Sequence, residues 1–165
     1  MYLKSDRLKY RPYNAFDFKD FSDIFCNDQV MLYISGRGNS SKVAQKKFED
    51  IIAKNTIDDG FFFFKVSLRD GTPIGFAKIV FFEGEGVEIG YAILPQFWRQ
   101  GYTSEMIGFM KKYCLENHPK LTVMAVVNTQ NVASIQALEK ATFKIYKKDV
   151  FRDDYCWFLR FIPTH

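Results

Sequence analysis

The run Leu94-Pro95-Gln96-Phe97-Trp98-Arg99-Gln100-Gly101-Tyr102-Thr103-Ser104 holds the residue types of an anion-binding turn. An apolar stretch ends at Leu94, Pro95 breaks it, and helical spacing begins after Gly101. The first N–H groups of a helix have no acceptor within it and carry the positive end of its dipole, so they bind phosphates. Gly101 lets a bulky anion reach the backbone with no Cβ in the way. Arg99 and Gln100 can add side-chain donors. By itself the pattern also fits a plain strand-to-helix turn.

The flanking elements must position this turn. Before it, 61–68, 73–82 and 87–94 read as three strands joined by the tight turns Arg69-Asp70-Gly71-Thr72 and Gly84-Glu85-Gly86, an antiparallel meander. After it, Met106, Ile107, Phe109, Met110, Tyr113 and Cys114 recur at helical spacing over 103–117, and Asn117-His118-Pro119 stops the helix. The nearly continuous apolar run 121–127 predicts a strand buried on both faces. The segment 87–127 is therefore strand–helix–strand, which implies a locally parallel pair.

At the start, 8–12 alternates as a short strand, and helices are expected over 15–26 (capped by Asn14), 28–33 and 41–55. The third should bury Val43, Ala44, Phe48, Ile51 and Ile52. At the end, Asn131 caps a helix over 131–141, and strands 143–150 and 155–161 flank an Asp153-Asp154 turn. The sum is one α/β (α+β) domain over 1–165: a mixed sheet with helices on its faces.

Composition narrows the classes. With 165 residues, 47% hydrophobic and 18% aromatic, a single domain of this size hides roughly 70% of its unfolded surface. A net charge of +4, spread along the chain, is too thin for a nucleic-acid face but suits a phosphate-bearing ligand. Cys26, Cys114 and Cys156 are odd in number and far apart, with no CxxC. That argues against a disulfide framework or a zinc site, and for a reducing, cytoplasmic setting. No signal peptide or membrane span is read. The absence of GxxxxGK[ST] argues against a nucleotide-binding loop. The 18 phenylalanines could support a homodimer through an aromatic surface.

Two ordered motifs carry a resemblance. Glu88-Ile89-Gly90-Tyr91, Pro95 and 98–105 look like the central motif of the GNAT superfamily of N-acetyltransferases. The stretch 128–143, with Asn131, Ser134, Glu139-Lys140 and Phe143, is similar to that superfamily's next motif. The pairing of Glu-Ile-Gly-Tyr with Asn-x-x-Ser, and the opening around Asp6-Arg7-Leu8, resemble the branch that acetylates ribosomal-protein N-termini (RimJ/RimL type).

The resemblance implies a mostly antiparallel sheet of about seven strands flanked by about four helices, with acetyl-CoA at the central strand–helix–strand unit and no metal. Ile93 and Leu94 would offer backbone groups to the pantetheine arm. Arg99, Gln100, Gly101, Tyr102 and Thr103 would hold the pyrophosphate, and Asn131 and Ser134 would lie near the thioester. Tyr33 and Arg37 fall in the region that shapes the acceptor site in relatives, although Tyr33 also reads as a core residue at a helix end. Many members carry a tyrosine general acid at the position of Leu138. Leucine cannot donate a proton, and Ser134 is the implied substitute.

A thioester is attacked by a neutral amine. Deprotonating a lysine-type amine of pKa about 10.4 at pH 7 costs roughly 4.6 kcal/mol, against about 1 kcal/mol for an α-amine near 7.8. Glu88, in the strand that leads to the turn, is the expected base, directly or through a water; the other reading is a carboxylate that faces solvent or only orients the amine. The function expected is acetyl-CoA-dependent N-acetyl transfer to a protein N-terminal α-amine or a small-molecule amine. A catalytically weak acyl-CoA sensor is the alternative that Leu138 keeps open.

Overall fold

The computed structural model describes residues 1–163. In chain order the elements are β1 (Leu3–Lys4), β2 (Leu8–Pro12), α1 (Phe18–Phe25), α2 (Asp28–Met31), α3 (Ser41–Asn55), β3 (Phe62–Leu68), β4 (Pro73–Phe82), β5 (Gly86–Ile93), α4 (Tyr102–Asn117), β6 (Val123–Asn128), α5 (Val132–Lys140), β7 (Phe143–Phe151) and β8 (Asp154–Phe161). Eight strands form one sheet in the order β1-β2-β3-β4-β5-β6-β8-β7. Every neighbouring pair is antiparallel except β5 and β6. The sheet thus has one strand more than expected, the two-residue β1, and α2 brings the described α-helices to five.

Side chains of successive strand residues point to opposite faces. On one face Val87, Ile89 and Ile93 pack with Met106, Ile107 and Met110 of α4 and Leu138 of α5. On the other, Ala92 and Phe76 pack with Phe21 and Ile24 of α1 and Ala44, Phe48 and Ile51 of α3. Phe21 and Phe64 are fully buried, and each such side chain contributes roughly 2–3 kcal/mol of transfer free energy. Much of the phenylalanine content is therefore spent inside.

Three expectations are corrected. Val43 is 45% exposed. It lies in the first turn of α3, where Ser40 accepts its N–H, and the buried stripe is Ala44, Phe48 and Ile51, spaced four and three apart. Helix α1 begins at Phe18 rather than 15, because Asn14 Oδ1 accepts the N–H of Phe16 and Asp17 Oδ2 accepts that of Asn14, folding a turn ahead of the helix. The last hairpin turns at Arg152-Asp153, both with positive φ, one residue earlier than read.

The sheet opens where the site must be. β5 and β6 pair only at Val87↔Val123 and Glu88↔Met124; beyond Glu88, β6 is bonded to β8 alone. Val87 N–H donates to Thr122 O on the β6 side, whereas Leu94 N–H donates to Ile74 O on the β4 side. Backbone directions alternate along a strand, so Tyr91 and Ile93 present theirs to the opening.

Candidate active site

The turn between β5 and α4 has the geometry of an anion cradle. Arg99 and Gly101 adopt φ of 59° and 82°, an alternation with Gln100 between them that makes successive N–H groups converge. Among the described residues, no main-chain N–H from 99 to 104 donates to a protein acceptor, while Glu105 N–H already closes the helix on Gly101 O. The helix start is not sealed by a side chain: Glu105 turns away, accepting from Arg7 N–H, Arg7 Nε and Ser5 Oγ. Gly101 caps α4 in the left-handed region, where a Cβ is strained.

Arg7, to which the motif reading assigned no role, fastens this turn from outside. Its Nη1 donates to Gln100 O at 2.9 Å, its Nε pairs with Glu105 Oε2 at 2.8 Å, and its guanidinium lies 4.3 Å over the Tyr102 ring. Burial pushes the Glu105 carboxyl up, but Ser5 and Arg7 outweigh it and hold it below the usual range. Trp98 Nε1 donates to Ile93 O at 2.7 Å, pinning the turn to the end of β5. The only legible sign of Arg7 was its place in the opening Asp6-Arg7-Leu8.

The predicted cradle residues therefore come together, with divided duties. Gln100 spends its side-chain amide on Gln96 O, so it offers the anion its backbone only. Arg99 is exposed, and Tyr102 and Thr103 are half-buried in the first turn. Leu94 N–H is committed to β4, which leaves Ile93 N–H and the backbone of Tyr91 as the groups facing the opening. Asn131 Oδ1 accepts Ser134 N–H as the cap of α5, and Leu138, one turn beyond Ser134, is fully buried.

Glu88 lies on the sheet face of Ala92 and is 5% exposed. It is no solvent-facing edge carboxylate: Lys78 Nζ pairs with its Oε1 at 2.9 Å. The Lys78 stem crosses Gly90 so closely that a Cβ there would meet Cε at 2.5 Å. On the same face Phe25 packs edge-on against Phe76, centroids 5.0 Å apart, and forms one wall of a cavity of about 300 Å³. Met31 of α2, Ile34 and Ser35 from the loop after it, Lys47 of α3, and Arg152 and Asp153 of the last hairpin complete it. Tyr33 and Arg37 flank that loop and are exposed, so Tyr33 is not a core residue. Ser35 Oγ donates to Arg37 O at 2.7 Å and holds the loop in shape.

The opposite face carries a contact absent from the sequence expectations. Tyr91 Oη of β5 and Ser134 Oγ of α5 are 2.6 Å apart. Burial, only partly offset by this bond, pushes the phenol up to about 12.

Residues 7–144 match the Acetyltransferase (GNAT) domain. The chain belongs to the GNAT acetyltransferase family. It is 31% identical over 157 residues to an uncharacterized N-acetyltransferase, YoaA, of Bacillus subtilis, covering 91% of this chain and 85% of that protein. Ribosomal-protein-S5-alanine acetyltransferase from Vibrio fischeri shares the fold at a TM-score of 0.77 and 12% identity, covering 98% of this chain and 96% of that one. Spermidine N-acetyltransferase from Vibrio cholerae, solved with CoA and spermine, does so at 0.76 and 16%, covering 94% of each. This GNAT protein is thus an N-acetyltransferase, of a family that moves acyl groups from acetyl-CoA to amines. Two neighbours with unlike acceptors share its fold almost equally, so the fold does not select the amine. Among the described residues no helix is long and apolar enough to cross a membrane, and no cluster of three His, Cys, Asp or Glu could hold a metal.

Proposed function

We propose that this N-acetyltransferase holds acetyl-CoA at the opening between β5 and β6 and acetylates a primary amine, either a protein N-terminal α-amine or a small-molecule amine of the same class. The observation that carries this reading is the uncommitted N–H array of 99–104, braced by Arg7, at the head of the opening. The residues fit the ligand. Arg99, Gln100, Gly101, Tyr102 and Thr103 hold the diphosphate through main-chain N–H groups, and the Tyr91 backbone receives the pantetheine arm, which leaves Ile93 N–H for the acyl group. Asn131 and Ser134 lie at the reacting end. When bound, acetyl-CoA supplies an activated acyl group on a thiol leaving group.

The chain's own residues divide the work by sheet face. Glu88 takes the amine proton directly or through a water, sharing its carboxylate with Lys78. Ile93 N–H is placed to stabilise an oxyanion, a contribution of about 3–4 kcal/mol for one such donor. The cavity walled by Phe25 admits the acceptor, with Tyr33 and Arg37 in the loop that lines it and Arg37 meeting an acidic group of the acceptor. An α-amine asks less of Glu88, by roughly 3–4 kcal/mol, than a lysine-type amine. That difference, together with the RimJ/RimL-like motif pairing, favours the N-terminal acceptor.

The test is calorimetry with CoA together with a thiol-release assay over N-terminal peptides, polyamines and aminoglycosides. Binding with release for one acceptor class supports the proposal. Tight binding with no release for any amine supports an acyl-CoA sensor instead.

A further inference from the structure

The Tyr91 side chain has no part in the chemistry derived above, yet its hydroxyl is committed to one of the residues at the reacting end. It stands on β5 three residues past the last β5–β6 pairing, with its backbone turned to the opening. Ser134 stands in the first turn of α5, which leaves β6 on the far side of the same opening. The 2.6 Å bond between them therefore bridges the two walls. Among the described residues the Ser134 hydroxyl has no other partner, and Leu138, the next residue along that helix face, is buried in the core and has no proton to give.

We propose that Tyr91 acts through Ser134 as the second member of a hydroxyl relay that delivers a proton to the departing sulfur of coenzyme A. This rests on the proposed function. Tyr91 donates to Ser134 Oγ, which turns the serine proton toward the opening. As the new N–C bond forms and the C–S bond breaks, the electron pair of C–S goes to sulfur. Ser134 passes its proton to that sulfur and takes the phenolic proton of Tyr91. The phenolate regains a proton from solvent, and the surplus proton of the amine leaves on the other face by way of Glu88. One amine and one thioester give one amide and one thiol.

Three points support the assignment. A serine hydroxyl alone is a poor acid, and a phenol behind it supplies the acidic proton. Burial keeps the Tyr91 phenol protonated over the working pH range, so its proton is in place before each turnover. The relay also lies on the sheet face opposite Glu88. Base and acid thus act from two sides of the opening and do not exchange the proton with each other.

Tyr91 is a positioning residue in this scheme, and its test needs readouts that packing alone would not move. Tyr91→Phe is expected to lower kcat about tenfold, with the Kd for CoA and the KM for acetyl-CoA within twofold of wild type. Ser134→Ala is expected to lower kcat further, the double variant to be no slower than Ser134→Ala, and Ser134→Thr to keep most of the activity. Independently of turnover, the thiolate absorbance of bound CoA followed against pH should show a midpoint about one unit lower in the wild-type complex than in Tyr91→Phe, a tenfold difference. Wild-type kcat in Tyr91→Phe, additive losses in the double variant, or an unmoved midpoint would each overturn the relay. A wild-type protein that binds no CoA would overturn the proposed function itself, and that result is distinct from the other three.

Discussion

Lys78 Nζ stands 2.9 Å from Glu88 Oε1, with its stem laid over Gly90. The expected base is therefore already partnered on its own sheet face, and on the proposed function an incoming amine competes with an ammonium for one oxygen or uses the other. Both side chains are mostly buried, at 17% and 7% exposure. Removing one partner of such a pair strands the other. Lys78→Met should destabilise the protein by about 3 kcal/mol, and Lys78→Met with Glu88→Gln should recover much of that loss. Urea unfolding of the two singles and the double checks the coupling; additive losses would show that the pair does not act as a unit.

Glu88→Gln should lower kcat about 100-fold at pH 7, a common contribution for a general base, while the Kd for CoA changes less than twofold. The loss should shrink as pH rises toward the pKa of the acceptor amine, because solution then supplies the neutral form. A kcat profile over pH 6–10 is the measurement. A uniform loss at every pH would assign Glu88 to orienting the amine.

Arg7→Ala should weaken CoA binding about tenfold without touching the ligand. It removes the side-chain contacts to Gln100 O and Glu105 Oε2, and leaves Ser5 Oγ and the backbone N–H of residue 7 on that carboxylate. Calorimetry on Arg7→Ala and Arg7→Lys separates the fork geometry from the charge: lysine should rescue poorly, since it cannot reach both acceptors as a planar group. Wild-type affinity in Arg7→Ala would show that the cradle holds its shape unaided.

Asp17 is 5% exposed. Burial pushes its carboxyl up, but Arg11, the Asn14 N–H and Lys65 outweigh it and bring the pKa down to about 2. A depressed carboxyl contributes stability that is fully present above its unfolded pKa near 4 and is lost as pH falls through its folded value. Asp17→Asn should therefore cost about 2 kcal/mol at pH 7, and the gap to wild type should close between pH 4 and pH 2. Thermal melts across that window check the sign; a constant gap would mean that the ion pairs of Asp17 do not set it.

Leu138→Tyr should not install a working acid. The side chain sits in the core at 0% exposure, so the larger ring should overpack it by about 1–3 kcal/mol and leave kcat no higher. A gain in kcat would show that the position opens onto the thioester.

Local signals were legible where local chemistry decides. The bounds of α3, 41–55, follow from the Ser40 cap and an unbroken apolar stripe, and the meander follows from its Gly-containing turns. β1 is two residues long, too short for any pattern to show. The turn and helix start at 99–104 were legible because Pro95 ends the strand pattern and Gly101 precedes helical spacing. Its brace was not, because Arg7 and Glu105 are 98 positions apart. The Tyr91–Ser134 bridge escaped for the same reason, spanning 43 positions. Tyr91 stood in the quoted motif, but only the fold turns it toward a serine. The cavity under Phe25 likewise needs Arg152 and Asp153 brought to α1 and α3, a proximity that no periodicity encodes.

The central claim is that main-chain amides after Trp98 grip the diphosphate. Amide-resolved NMR during titration with CoA tests it directly, with pantetheine, which lacks the diphosphate, as the control. The N–H signals of 99–104 should move downfield and saturate with CoA but stay nearly still with pantetheine, and Gly101→Glu should abolish the response. Saturable CoA binding that leaves those six amides unmoved would contradict the account.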